Sequence, residues 1–125
     1  MIKLNETHRL KGRATLAENR QAMEKLARRV TDGYEAVHEK KYSRARQLLE
    51  PLVPMLHSES KPNVKLLAYT AIAQIGDRQV EPFLETYEEL KAQTPEDERE
   101  QALVTRVDEM FTVLMESVAE EQDND

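Results

Sequence analysis

Apolar residues along this chain recur at helical rather than alternating spacing, in five segments. In the first, Leu16, Met23, Val30 and Val37 stand seven apart with Leu26 and Ala27 between them. That spacing predicts a long amphipathic helix from about Ala14 to Lys40. Gly33 interrupts it at a cost of about 1 kcal/mol relative to Ala, so a packing requirement or a break is expected there. Tyr42, Ala45, Leu48, Leu49, Leu52 and Val53 form the second apolar face. Pro51 removes a backbone donor and crowds the carbonyl four residues earlier, which predicts a kink at Pro51 and an end near His57. Ser58 to Asn63 then reads as a loop.

The third segment uses Val64, Leu67, Ala68, Ala71, Ile72 and Ile75 and stops at Gly76-Asp77, with Gly76 suited to the C′ position. The fourth uses Val80, Phe83, Leu84, Tyr87 and Leu90, with Pro82 confined to its first turn. Thr94-Pro95-Glu96-Asp97 opens the fifth, with Thr94 as the expected cap and Pro95 at the first helical position. Its stripe is Leu103, Val107, Met110, Phe111, Leu114, Met115 and Val118. So apolar a face needs a partner, which is either the chain's own core or another chain.

Composition narrows the fold further. At 125 residues the expectation is one domain. With 3 Gly, 2 Phe and no Trp, the chain lacks the turn and aromatic content of a β-sandwich. The predicted class is all-α, with about five helices arranged as antiparallel hairpins in a short solenoid or bundle. The absence of Cys excludes disulfides, thiolate chemistry and Cys-based zinc sites. No stretch approaches the ~18 apolar residues of a membrane span, and a cytoplasmic protein is expected.

Charge is unevenly spread. Residues 1–29 carry eight Lys or Arg against three Glu, a net +5, and residues 30–76 carry +1. Residues 77–125 carry four basic against sixteen acidic residues, a net −12. The predicted organisation is a basic mobile arm over 1–13, one helical domain over 14–119 and an acidic disordered tail over 120–125. Candidate interaction residues are Arg20, Arg28 and Arg29 at the basic end, and Lys40, Lys41 and Arg44 around the first turn. Phe111 and Met115 on the last helix complete the set. A pI near 5.2 and the acidic half speak against nucleic acid as the partner.

Chemistry-bearing patterns are sparse. Glu35-Ala36-Val37-His38 is a single Glu-x-x-His, whereas di-iron bundles need two such units and two further Glu. His8 and His57 belong to no ligand motif, and three Gly do not make a phosphate loop. No catalytic residue, cofactor or metal site is expected.

The stretch from Gly33 through Tyr42, Ala45 and Leu48-Leu49-Glu50-Pro51-Leu52 resembles a tetratricopeptide repeat. In that family a small residue on the first helix faces an Ala on the second, twelve positions on, because two helices cross closely only where side chains are small. Gly33 and Ala45 match that spacing, and Tyr42 sits at the aromatic position three before the Ala. A second unit, Leu66 to Asp77, looks like the family's first helix with its Gly-Asp turn. Counted from Gly76, its small-residue position falls on Glu81, a departure that calls for a shifted register or an insertion. The resemblance covers about residues 24–95, and the residues that carry it (Gly33, Tyr42, Ala45 and Gly76) are structural.

The resemblance implies a groove lined by the first helix of each hairpin, binding a segment or helix of another protein without chemistry. Two units fall short of the ~3 that stabilise a stack, so the long first helix and the last helix serve as caps or the protein dimerises. Two alternatives stand beside the adaptor reading. One is a structural protein that self-associates through the first or last helix, its basic and acidic ends meeting head to tail. The other is a regulator whose basic end contacts nucleic acid.

Overall fold

Between Val64 and Gly76 the chain carries one charged side chain, Lys65, so a helix there presents apolar surface in every direction. Such a helix is stable in water only if others surround it. In the computed structural model, which describes the backbone of residues 2–123 and the side chains of residues 16–121, that is how the chain is arranged. The protein is all-α: 82% is helical, and no strand occurs among the described residues.

The elements are α1 (Ile2–His38), α2 (Tyr42–Leu49), a 3-10 turn (Glu50–Leu52), α3 (Val53–Leu56), α4 (Val64–Gly76), α5 (Val80–Lys91) and α6 (Glu98–Asp123). Counting α2, the 3-10 turn and α3 as one broken arm gives five helical arms. Ten of the eleven residues from Val64 to Gln74 are buried, Lys65 being the exception. α1, α2, α5 and α6 all pack on α4. Asn63 caps α4, its Oδ1 accepting from Leu66 N at 3.1 Å.

Two hairpins repeat one another. Lys40 and Arg78 are both left-handed, with φ of 62° and 60°. Lys40 N donates to Val37 O at 3.0 Å and Lys41 N to Ala36 O at 2.8 Å. Arg78 N to Ile75 O and Gln79 N to Gln74 O repeat those bonds at 3.0 and 2.8 Å. Both turns are therefore Schellman caps, related by a shift of 38 residues. The shift pairs Gly33 with Ala71 and Ala45 with Phe83, again twelve apart. Ala45 thus corresponds to Phe83, which is not small, so the second hairpin does not reproduce the small-residue pair of the first.

Gly33 and Gly76 both serve close approach. A Cβ on Gly33 would come within 2.6 Å of Leu49 Cγ, so the neighbour it admits is Leu49 rather than Ala45. Gly76 is the last residue of α4 and not its C′; a Cβ there would come within 2.6 Å of Tyr42 Cδ1. Ala45 is fully buried beside them.

Helix ends differ from expectation in three places. α1 runs from Ile2 rather than Ala14; the side chains of the basic arm over 1–13 lie outside the described residues. α6 begins at Glu98, because Asp97 rather than Thr94 is the cap: Glu100 N donates to Asp97 Oδ1 at 2.8 Å. Glu100 Oε1 in turn accepts from the N–H of Glu96, the residue before the cap, at 3.0 Å. Pro95 therefore precedes the helix. At the other end α6 continues to Asp123 through part of the tail expected to be disordered; Asn124 and Asp125 lie outside the described residues.

Direction follows from the contacts. Tyr42 at the start of α2 meets Gly76 at the end of α4, and Leu56 at the end of α3 accepts from Asn63 Nδ2 just before α4, so this broken arm is antiparallel to α4. α1 is antiparallel to α2 across its tight turn and hence runs with α4. α6 runs with α4 as well: Leu103 lies near Lys65 and Tyr69, and Val113 near Ile75 and Arg78. Tyr34 of α1 stacks on Tyr69 with ring centroids 4.2 Å apart. Residues 16–25 of α1 thus extend past the start of α4, and the end of α6 extends past its finish.

Gly33→Ala should cost about 1–3 kcal/mol of stability in urea denaturation, the range for overpacking a buried contact. In a Leu49→Ala background that cost should largely vanish, because the colliding side chain is gone.

Candidate interaction surface

The sequence-derived repeat positions converge. Gly33 abuts Leu49, Gly76 abuts Tyr42, and Ala45 is buried between them, so all four sit where α1, α2 and α4 meet. They hold helices together, and of the four only Gly76 also borders a groove between α4 and α6.

The candidate interaction residues scatter over three regions. Arg20 and Arg28 are exposed on α1. Arg29 is tied to the fold: its Nε donates to Leu48 O and its Nη2 to Gln47 O, each at 3.0 Å. Pro51 has no N–H to offer the Gln47 carbonyl four residues earlier, and the guanidinium replaces it. Lys40 is the left-handed turn residue and Lys41 pairs with Glu39 at 3.1 Å. Arg44 shares a shallow crevice with Asp32, Glu35 and Glu39, so the turn cluster is charge-balanced rather than a basic patch. Phe111 is half-buried, stacked on Tyr87 at 4.5 Å, and belongs to the packing between α5 and α6. Met115 is exposed.

The histidines also anchor structure. His38 Nε2 lies 3.0 Å from the Tyr69 hydroxyl. His57 Nδ1 accepts from Asn63 N at 2.9 Å while its Nε2 lies 3.0 Å from Glu89 Oε1, pinning the loop before α4 to α5. Among the described residues no group of three or more His, Asp or Glu is placed to hold a metal, and no helix is long and apolar enough to cross a membrane.

Between the second half of α4 and α6 lies a groove of about 690 Å³ that the sequence reading missed. Ile75, Met110, Val113 and Leu114 give it an apolar surface, and Arg78, Arg106 and Glu109 rim it. Val113 is 64% exposed. The signal was present: Val113 falls three after Met110 and extends the α6 stripe beyond what α4 and α5 cover. A second hollow of about 560 Å³ continues toward the start of both helices, with Lys65, Tyr69, Arg99, Leu103 and Arg106 among its walls. Lys65 Nζ stands 5.1 Å from the Tyr34 ring centre, which carries this face across to α1.

Around Arg46 the charges are paired off. Arg46 pairs with Asp77 at 2.9 Å and Glu50 at 3.1 Å, and Glu50 accepts from Gln74 Nε2 at 2.9 Å. The Asp77 hydrogen bond is the main reason that the Arg46 pKa is raised. Burial pushes the Tyr34 phenol up to about 12, and Tyr69 adds to it. Tyr87 is also pushed up to about 12, by burial and by the hydrogen bond it donates to Asp108 Oδ1 at 2.6 Å.

No protein-family model matches the chain, and neither does any curated protein or solved structure.

Two outcomes are expected from these contacts. Arg29→Ala should cost about 1 kcal/mol, the worth of an ordinary hydrogen bond. Pro51→Ala, which restores the missing N–H, should shrink that cost in a double-mutant cycle. At alkaline pH both phenols ionise more readily in the unfolded chain, near 10, than in the folded one, near 12. Their contribution to stability is complete below pH 10 and drains away between 10 and 12. Urea midpoints followed across that range should fall less steeply for Tyr34→Phe and Tyr87→Phe than for the wild type; equal slopes would count against it.

Proposed function

We propose that this chain is a short tetratricopeptide-like module that binds a segment or helix of another protein in the α4–α6 groove and performs no chemistry of its own. The observation that carries the reading is the groove itself, an open apolar trough between two parallel helices with arginines on its rim. Helix-in-groove recognition takes this form: apolar anchors fill the trough while charged rim groups fix orientation. The matching Schellman turns at Lys40 and Arg78, 38 residues apart, are what supports the family resemblance. A cytoplasmic location belongs to the same proposal.

The test is affinity capture from host lysate with three baits: wild type, Val113→Glu and Met55→Glu. Val113 and Met55 are 64% and 61% exposed, so both variants should fold, but only Val113 lines the groove. A protein recovered near-stoichiometrically by wild type and Met55→Glu, and lost with Val113→Glu, is the expected result. Equal recovery by all three baits would remove the groove from the account.

A further inference from the structure

The start of α1 and the end of α6 are lengths of helix that α4 does not cover, and they are opposite in charge. On α1, Leu16, Arg20 and Met23 fall on one stripe at helical spacing, with Leu16 and Met23 70% and 66% exposed. From 16 to 29 the helix carries Arg20, Lys25, Arg28 and Arg29 against Glu18 and Glu24. On α6, Glu109, Val113, Glu116 and Glu120 share a stripe. From 109 to 121 that helix has four Glu and no Lys or Arg. In antiparallel register Met23 falls opposite Val113 and Arg20 opposite Glu116, so at these two positions the stripes match apolar with apolar and basic with acidic, while Leu16 falls opposite Glu120.

The two stripes cannot meet within one molecule. α1 and α6 run in the same direction, with Tyr34 level with Lys65 and Tyr69, and Val113 level with Ile75 and Arg78. At 1.5 Å per residue, Leu16 and Val113 are separated by on the order of 40 Å along the helix axes. A second copy turned end for end brings its α1 overhang beside this α6 and offers its own α6 to this α1. Each chain then uses both stripes, the self-complementary arrangement of a two-fold dimer.

We infer that the α6 wall of the groove receives the Leu16–Arg20–Met23 stripe of a second copy of this chain, Met23 packing on Val113 and Arg20 reaching Glu116. The inference rests on the groove reading above and names its occupant. Sedimentation velocity tests it on four samples: wild type, Arg20→Glu, Glu116→Arg, and an equimolar mixture of the two variants. Arg20 and Glu116 are exposed, and circular dichroism checks that helix content is unchanged. Wild type should sediment at twice the 14.5 kDa of the chain in ~0.05 M salt and shift toward monomer at ~0.5 M, where exposed charges are screened. Each variant alone should dimerise at least ~10-fold more weakly, and the mixture, which pairs swapped with swapped and native with native, should regain the dimer. A wild type that stays monomeric in both salts up to ~0.5 mM overturns the inference, as does a mixture no tighter than its components. If that monomer still loses its captured partner on Val113→Glu, the groove reading survives and only the named occupant falls.

Discussion

The fold depends on one requirement: α4 is apolar on all sides and must be enclosed. Val64 and the run from Leu66 through Gln74 are buried, and truncating a core Leu or Ile to Ala in such a site costs about 2–5 kcal/mol. Enclosure demands that neighbouring helices come close, and close approach explains where the small residues go. Gly33 lets α1 meet Leu49 and Gly76 lets α4 meet Tyr42. Neither glycine is spent on a turn. The left-handed turn positions fall instead to Lys40 and Arg78, although a side chain there costs roughly 1–2 kcal/mol. Packing has taken the glycines, and the turns have accepted strain that two matched pairs of hydrogen bonds offset.

The second arm shows the same logic at its break. α2 cannot continue through Pro51, yet Leu49 and Leu52 on either side of it are both buried against the centre. A 3-10 turn over Glu50–Leu52 keeps both side chains facing inward, and Arg29 bonds the carbonyls left over. An arginine that composition assigns to a basic patch is thereby held by backbone dipoles. The same fate meets Lys41 and Arg44 beside Glu39, Asp32 and Glu35, which is why the net charge of a segment says so little about the surface it builds.

The class, the five arms and the break at Pro51 were legible because periodicity and proline chemistry are local. Other features turned on contacts between helices. Thr94-Pro95 is a good start signal for α6, but Asp97 caps it instead, its Oδ1 accepting from Glu100 N while the Glu100 carboxylate accepts from Glu96 N. A count from Gly76 sets the second small-residue position at Glu81, whereas the matching turns at Lys40 and Arg78 set Gly33 against Ala71 and Ala45 against Phe83, a large residue. Phe83 is legible only as an apolar position; that its ring stacks toward Tyr87, and Tyr87 on Phe111, depends on where α6 lies. The groove was hidden for the same reason, since a stripe does not reveal how much of its width a neighbour covers.

Length mismatch connects the fold to its surface. α4 has 13 residues, whereas α1 has 37 and α6 has 26. A short central helix cannot cover longer neighbours that run alongside it, so each is left with apolar side chains in solvent, and their shared direction puts the bare ends on opposite sides. Had α1 and α6 run in opposite directions, the two overhangs would lie at the same end and could cover one another within the molecule. Parallel packing makes intramolecular closure impossible, and opposite charge makes repulsion between unlike ends vanish. The uncovered helices are therefore a consequence of enclosing α4 with arms longer than itself, and they leave two separate exposed surfaces at opposite ends.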